Sequence, residues 1–510
     1  MKTILKITAL SAVLLMLAIP LFAQADTSDY VKPPLVTADS TFQLSSFQLP
    51  EFRRRALTTS YGLSNQFRSN NNYQRWQYHY ETQPDTEERE KRVANYFSLK
   101  GNVYFSDIHY TRKHQKETYI SSNIKFDTEY QKNRIAEPSV ISNKFNIDPD
   151  ISFRQINRRY LSENLFVGYS PSIAYGFSAR RERAKQKEIY DNKTNQFSQN
   201  LTAQISLEIG LGRIEPIGDA RHAIYIFDAL ARRGVISVAK TSDDIIRFAE
   251  FIAELKNKRY LDARHRKIYE MEALDSFLLA NGHRDTLSMA YFTTLEDFWI
   301  HGNINRGSGK RWAFYTAPGY DFQSTKTKSF QDGETTQNSY YDDQILNTRF
   351  GISFTYEKPI NLFWQNSFSS SLEYRQQNIR LMQKNNLDDD KQTRFGFRPH
   401  LVYLLSHYIS YFPTTRTSAS FGYGLSYDFL QEPHLFRWND ITYHSLGANI
   451  QAGASYFFSP QLQLNLQTRL NYYHRDDYRL YNNHFLIADT KSRQSSFQFY
   501  VGLSLDYIFY

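Results

Sequence analysis

The sequence predicts a transmembrane antiparallel up-and-down β-barrel of 12–14 strands, 14 favoured, with a small all-α inserted domain. Three observations predict it: long stretches alternating apolar with small or polar residues, many aromatics at low mean hydropathy, and connections that alternate short with long. Strand residues point to opposite faces with a period of two. From Leu165 to Phe177 one face carries Leu165, Val167, Tyr169, Ile173, Tyr175 and Phe177. The other carries Gly168, Ser170, Ser172, Ala174 and Gly176, with Phe166 the exception. Residues 201–211, 419–429 and 462–470 repeat the pattern. Their polar face is dominated by Gly, Ser, Asn and Gln instead of the Lys and Glu of a water-facing soluble sheet, which suits a crowded, wet barrel interior.

Composition agrees. Mean hydropathy is −0.59 and apolar residues are 41%, yet aromatics reach 16%, with 38 Tyr and 38 Phe. A barrel reconciles these values, because only alternate residues face lipid while aromatic girdles sit at both interfaces.

In chain order, Lys2 and Lys6 precede an apolar run that ends at Ala23-Gln24-Ala25. Residues 1–25 thus read as a secretory signal peptide, with the mature chain expected from Asp26. Residues 26–55 are expected to be an N-terminal segment preceding the barrel. The absence of cysteine excludes a lipoprotein anchor, disulfides, thiolate metal sites and a thiol nucleophile. Residues 56–212 hold the first set of strands: a weak hairpin, Leu57–Phe67 with Tyr73–Tyr80, then four strands from about Val93 to Leu211. The Arg134–Asn157 connection is too long for a tidy turn and receives no element. Residues 301–510 hold the last eight strands. Short turns fall at 357–360, 411–415 and 458–460, and long polar connections at 326–339, 383–393, 431–440 and 476–493.

Between these sets the period changes to that of a helix, which marks residues 213–300 as the inserted domain. Asp219–Arg233 places Ala220, Ala223, Ile224, Phe227 and Leu230 on one face and stops at Gly234. Thr241 caps a second helix whose first turn carries Asp243 and Asp244. A third runs from about Leu261 to Leu279, burying Tyr269, Leu274, Phe277 and Leu278, with Asn281-Gly282 as its stop. Thr294 starts a short fourth.

The chain ends FQFYVGLSLDYIFY, with Phe499, Val501, Leu503, Leu505, Tyr507 and Phe509 on one face and Gly502, Ser504 and Asp506 on the other. This segment resembles the last strand of Gram-negative outer-membrane β-barrels. The resemblance implies that Tyr507, Phe509 and Tyr510 form the signal read by the barrel assembly machinery. It also implies an outer-membrane location among lipid and lipopolysaccharide. A final strand ending in the periplasm puts the short turns and the insert there too, and the long connections outside. The segments GLGRIEPIGDAR and LKNKRYLDARHRKIYEMEALDSFL, lying between two sets of strands, resemble an uncharacterised group of Bacteroidota-type outer-membrane barrels, which implies no reaction.

Catalytic signals are weak. P-loop, dinucleotide, HExxH and GxSxG patterns are absent, and nothing predicts a cofactor or a metal. His434, Asp440, His474, Asp476, Asp477 and His484 lie in the outer connections, where an imidazole could take a proton from water or serine. Polar loops also carry such residues for solubility alone. The formal charge of +9 comes from scattered Lys and Arg, which argues against a nucleic-acid partner. The densest basic cluster, Arg53-Arg54-Arg55, marks the start of the barrel or pairs with lipid or plug carboxylates.

Alternation puts Lys100, Lys125, Asp127, Glu129, Glu208, Arg349, Glu357, Glu373, Arg375, Asp428, Arg469 and Asp506 on the lumen face. Lys256, Lys258, Arg259, Arg264, Arg266 and Lys267 form a basic run in the insert. That run reads either as a solvated face laced with i,i+4 pairs or as a docking face for a periplasmic or other envelope protein. Three functions follow from these features. The leading one is a channel or export pore modulated by the helical module. The others are a structural or assembly barrel without a through-path and a surface hydrolase.

Overall fold

The computed structural model describes residues 43–507, apart from 77–85, 135–139, 187–189, 237–239, 259–262, 285–287, 302–305, 386–387, 433–438, 460–461 and 484–485. The first six strands are β1 (Glu51–Trp76), β2 (Thr86–Thr111), β3 (His114–Arg134), β4 (Val140–Tyr160), β5 (Leu165–Gln186) and β6 (Tyr190–Pro216). Four helices follow: α1 (Gly218–Arg232), α2 (Ser242–Asn257), α3 (Ala263–Ala280) and α4 (Met289–His301). Eight more strands complete the chain: β7 (Gly307–Gln331), β8 (Glu334–Pro359), β9 (Trp364–Asn385), β10 (Asp388–Tyr411), β11 (Thr417–Glu432), β12 (Asn439–Phe457), β13 (Leu462–Asn483) and β14 (Leu486–Tyr507). They form one 14-stranded sheet in sequence order, each strand antiparallel to the next, an up-and-down barrel. The sheet curls, because one helical module meets β1, the β8–β9 and β10–β11 turns and the end of β12 together. Among the described residues no ladder joins β14 to β1, so the seam lies there.

Two strand assignments need correction. The expected hairpin of residues 57–80 is, as far as it is described, the single strand β1. The unassigned 134–157 connection is largely strand β4. Its outer positions Ile141, Phe145, Ile147, Ile151 and Phe153 alternate correctly, but Asp148-Pro149-Asp150 mimics a turn. The β4–β5 pairing skips residues 148 and 149 there. The N-terminal boundary also moves, since residues 51–55 already belong to β1.

The long polar connections 326–339, 383–393 and 476–493 are largely strand too where they are described. Strands run from 16 to 27 residues, whereas about 9–11 residues cross a bilayer. At one hairpin end, Glu334–Asn338 is exposed on both faces, so it loses the alternation while keeping the ladder. Between β7 and β8 only Asp332 and Gly333 intervene, with φ of 51° and 95°. Two successive left-handed residues make the tight turn that follows strand twist.

The module is built largely as expected. Thr241 Oγ1 accepts from Asp244 N, and Asp244 accepts from Thr241 N, closing a capping box. Gly234 and Gly282, both at φ +67°, end α1 and α3; Val235 N donates to Leu230 O, and His283 N to Leu278 O. Helix α4 starts at Met289, five residues before the expected Thr294. Tyr269 is exposed instead of buried. Phe227, Leu230, Ile245, Phe248, Ile252, Leu274 and Leu295 form a core that also takes in Phe47 and Leu49 ahead of β1, with Leu362 and Phe363 of the β8–β9 turn against it.

Candidate functional site: a capped polar interior

Cross-strand partners share a face, so the register fixes which side chains line the interior. Leu57, Tyr61, Val167, Tyr169, Phe350, Leu372, Phe421 and Ile450 are exposed on the outside. Lys100, opposite Gly62 and Lys125, lies on the other face. So does Phe166, fully buried against Tyr160 and Ala313, which explains the one exception in its strand.

Most predicted lumen charges are paired. Lys125 Nζ is 2.5 Å from Asp127, whose other oxygen accepts from Tyr96 OH at 2.7 Å. Lys144 stands 3.7 Å from Glu129, and Arg158 Nε 2.8 Å from Glu208. Tyr315 donates to Glu373 at 2.8 Å, and Arg375 bonds the same carboxylate. Glu357 accepts from Gln365 and Ser367, Arg469 donates to Gln451 at 3.1 Å, and His400 pairs with Asp428. Arg349 stands opposite Arg375. Asp506 occupies the register position opposite Gln463, but its side chain lies outside the described residues. Partners such as Tyr96, Lys144, Arg158 and Tyr315 were missed at the sequence level, although each shares the inner parity of its strand.

The module sits where β1 begins and the short turns lie. Arg54, on the inner face of β1, donates to Asp219 Oδ2 at 2.6 Å. Lys256 Nζ donates to Asp219 Oδ1 at 2.8 Å and to His222 Nδ1 at 2.9 Å. That leaves His222 Nε2–H to donate to Phe298 O at 2.9 Å, which fixes a neutral tautomer. Burial pushes the Asp219 carboxyl up, but Lys256 and Arg54 outweigh it and hold the group below the usual carboxylate range.

A second anchor joins the module to the turns. Arg221, fully buried, donates to Leu362 O at 3.2 Å and Phe412 O at 3.3 Å. Arg306 donates to Leu362 O at 2.6 Å, Trp364 O at 2.7 Å and Asn361 O at 2.9 Å. Burial first, then the neighbouring Arg221, pushes Arg306 down to about 10. Arg416 pairs with Asp297 of α4. Of the densest basic cluster, Arg54 thus pairs with a carboxylate of the helical module, whereas Arg53 and Arg55 lie beside Asp107.

The docking run is corrected at its first member. Lys256 is fully buried in the Asp219 pair and offers nothing to a partner. Lys258 pairs with Glu254, Arg266 stands 4.0 Å from Glu270, and Lys267 pairs with Glu296. Arg259 and the side chain of Arg264 lie outside the described residues, as do His434, His484, Phe509 and Tyr510 and the side chains of Asp440, Asp477 and Tyr507. On the outer face His474 Nδ1 is 2.7 Å from Ser495 Oγ and its Nε2 is 3.6 Å from Asp476, which also accepts from Arg493 at 2.8 Å.

No family model matches the chain, and no curated protein does. Solved structures match at low similarity. The transport unit of the autotransporter AIDA-I from Escherichia coli is 9% identical, covering 83% of this chain and 95% of that one at a TM-score of 0.27. The translocator domain of NalP from Neisseria meningitidis is 8% identical, with 78% and 89% covered and a TM-score of 0.23. The Pseudomonas putida toluene transporter TodX is 7% identical, with 87% and 91% covered and a TM-score of 0.26. At such scores the fold rests on this chain's own ladder, and no activity carries over.

Proposed function

We propose that the protein is an outer-membrane channel whose periplasmic mouth is closed by the helical module. One observation carries this reading. The module is anchored at once to the inner face of β1 and to turns elsewhere around the mouth, below an interior lined by polar and charged side chains. Barrels of eight strands fill with side chains and those of 16–18 leave an aqueous channel. At 14 strands an added plug is what decides passage. The apolar outer band faces lipid, and the hairpin tips stand outside the cell.

Planar-bilayer recordings of the full chain test the reading. Wild-type protein is expected to open rarely and Asp219→Ala to raise the ratio of open to closed time by about a hundredfold or more. Absence of conductance in both proteins overturns the channel.

A second reading, a surface hydrolase, draws on the Ser495–His474–Asp476 contacts, since a serine activated by an oriented imidazole is a nucleophile. Labelling of wild type but not Ser495→Ala by a fluorophosphonate would support it. Equal labelling of both removes it.

A further inference from the structure

The interior is chemically two-sided. Charges crowd the inner face of β2–β4 and β8–β9, while the inner positions 418–426, 445–455, 463–471 and 496–504 of β11–β14 are almost all Ser, Gly, Asn and Gln, with Asp428 and the register position of Asp506 at the edges of this patch. From the end nearest the turns, the register sets Ser418, Ser455, Asn465 and Ser504 in one row across these strands. Ser420, Gly453, Gln467 and Gly502 form the next. A third row, Gly422, Gln451, Arg469 and Tyr500, holds the single charge among the inner positions 418–426, 445–455, 463–471 and 496–504. The first row, most of the second and Gln451 of the third line an open recess of about 440 Å³, to which Ala452, Ala454 and Leu466 also contribute, within the range of small-molecule sites.

Two tyrosines edge this wall. A Cβ added at Gly422 would run into the ring of Tyr408, and one at Gly502 into the ring of Tyr500. Both rings therefore lie along the wall over a glycine. Tyr500 is 56% exposed.

We propose that the β11–β14 wall binds a neutral, polyhydroxylated solute of the oligosaccharide class; this rests on the channel reading and names its cargo. Amides and hydroxyls both donate and accept, and so do sugar hydroxyls. Strands about 4.8 Å apart, with inner residues repeating every ~6.8 Å, present these groups as a grid on the scale of linked sugar rings. The tyrosine faces suit the C–H faces of such rings. An ionised solute would shed hydration here with little counter-charge to replace it. A peptide would need apolar pockets that the two rows lack.

Isothermal titration of the detergent-purified full chain tests this, with maltohexaose as the neutral probe and a galacturonate hexamer as its charged counterpart. Maltohexaose is expected to bind at least tenfold more tightly than the uronate. Asn465→Leu/Gln467→Leu should weaken it roughly tenfold, as the loss of two hydrogen bonds predicts. Lys125→Met on the charged side should leave it unchanged. Folding of each variant is checked by heat-modifiable migration, and the milder Gln467→Asn should keep most of the affinity. Equal affinity for the two probes, or a double variant that binds like wild type, overturns the proposal. Binding at equilibrium needs no through-path. Protein that binds maltohexaose yet never conducts defeats the channel alone, and protein that conducts without this preference defeats the cargo alone.

Discussion

Asp219→Ala is the sharpest perturbation of the module's attachment to β1. It removes the carboxylate shared by Lys256 and Arg54, whose side chains are 0% and 18% exposed. Arg54 keeps Asn257 Oδ1 at 2.8 Å and Arg53 O at 2.7 Å, and water can reach it. Lys256, fully buried, loses its carboxylate and keeps the His222 nitrogen at 2.9 Å and the face of the Trp299 ring at 5.5 Å, neither of which carries a negative charge. Removing one partner of such a buried pair costs about 3–5 kcal/mol, and the lysine accounts for most of it. At ~1.4 kcal/mol per power of ten, the docking equilibrium falls by roughly two to three and a half powers of ten. Amide exchange in α1 and α2 reads this directly. Asp219→Ala/Lys256→Met removes the stranded charge and should restore most of the protection, because a neutral isostere has nothing to desolvate. Protection in Asp219→Ala within tenfold of wild type would refute the reasoning. So would a double variant as labile as the single one.

Acid should loosen the same module in two steps. The folded pKa of Asp219 lies below its ordinary value, so its contribution is complete above the usual carboxylate range near 4 and is lost as pH falls through it. Burial and then Lys240 push His283 down as well, so its neutral form is favoured in the fold and stability starts to fall below about pH 6.5. Protection factors measured from pH 8 down to about 2.5 should be flat above 7, and protection that rises between 6.5 and 5 or below 4 would contradict the His283 or the Asp219 sign respectively. Gly309→Ala forces a side chain onto φ +129° and against the Arg213 carbonyl, costing about 3 kcal/mol. Gly234→Ala, at φ +67° with open space around it, should cost about 1 kcal/mol. Heat-modifiable migration across a urea series separates the two. Thr241→Ala breaks the capping box and should lower protection in the first turn of α2 by about 1 kcal/mol, leaving α1 unchanged.

The sequence pattern was legible wherever one strand face met apolar surroundings. Residues 165–177 and 419–429 read correctly because Tyr169 and Phe421 face outward while Ser170 and Gly422 face in. It failed where both faces are polar, as at Lys326–Ser339, because paired backbone needs no apolar face to hold its ladder. The module's boundaries were readable from Thr241, Gly234 and Gly282, each demanded by local backbone geometry. The Asp219–Lys256–Arg54 cluster was not. It joins residues 37 and 165 positions apart, and a burial that distant leaves no local period. Lys256 therefore looked like one more surface cation in a basic run.

Parity explains why the placement of the insert at the end where β1 begins survived two wrong strands. Reading β1 as a hairpin adds one strand before the insert, and passing over β4 removes one. The helices still follow an even strand and fall at the end where the chain enters β1. An even number of crossings returns the chain to that end whichever strands are counted, so only an unbalanced error could have moved the module to the hairpin tips. That shared end is also what makes the Arg54–Asp219 contact possible. Arg54 stands four residues into β1 and Asp219 three residues beyond β6, close in space only because six strands separate them and not five.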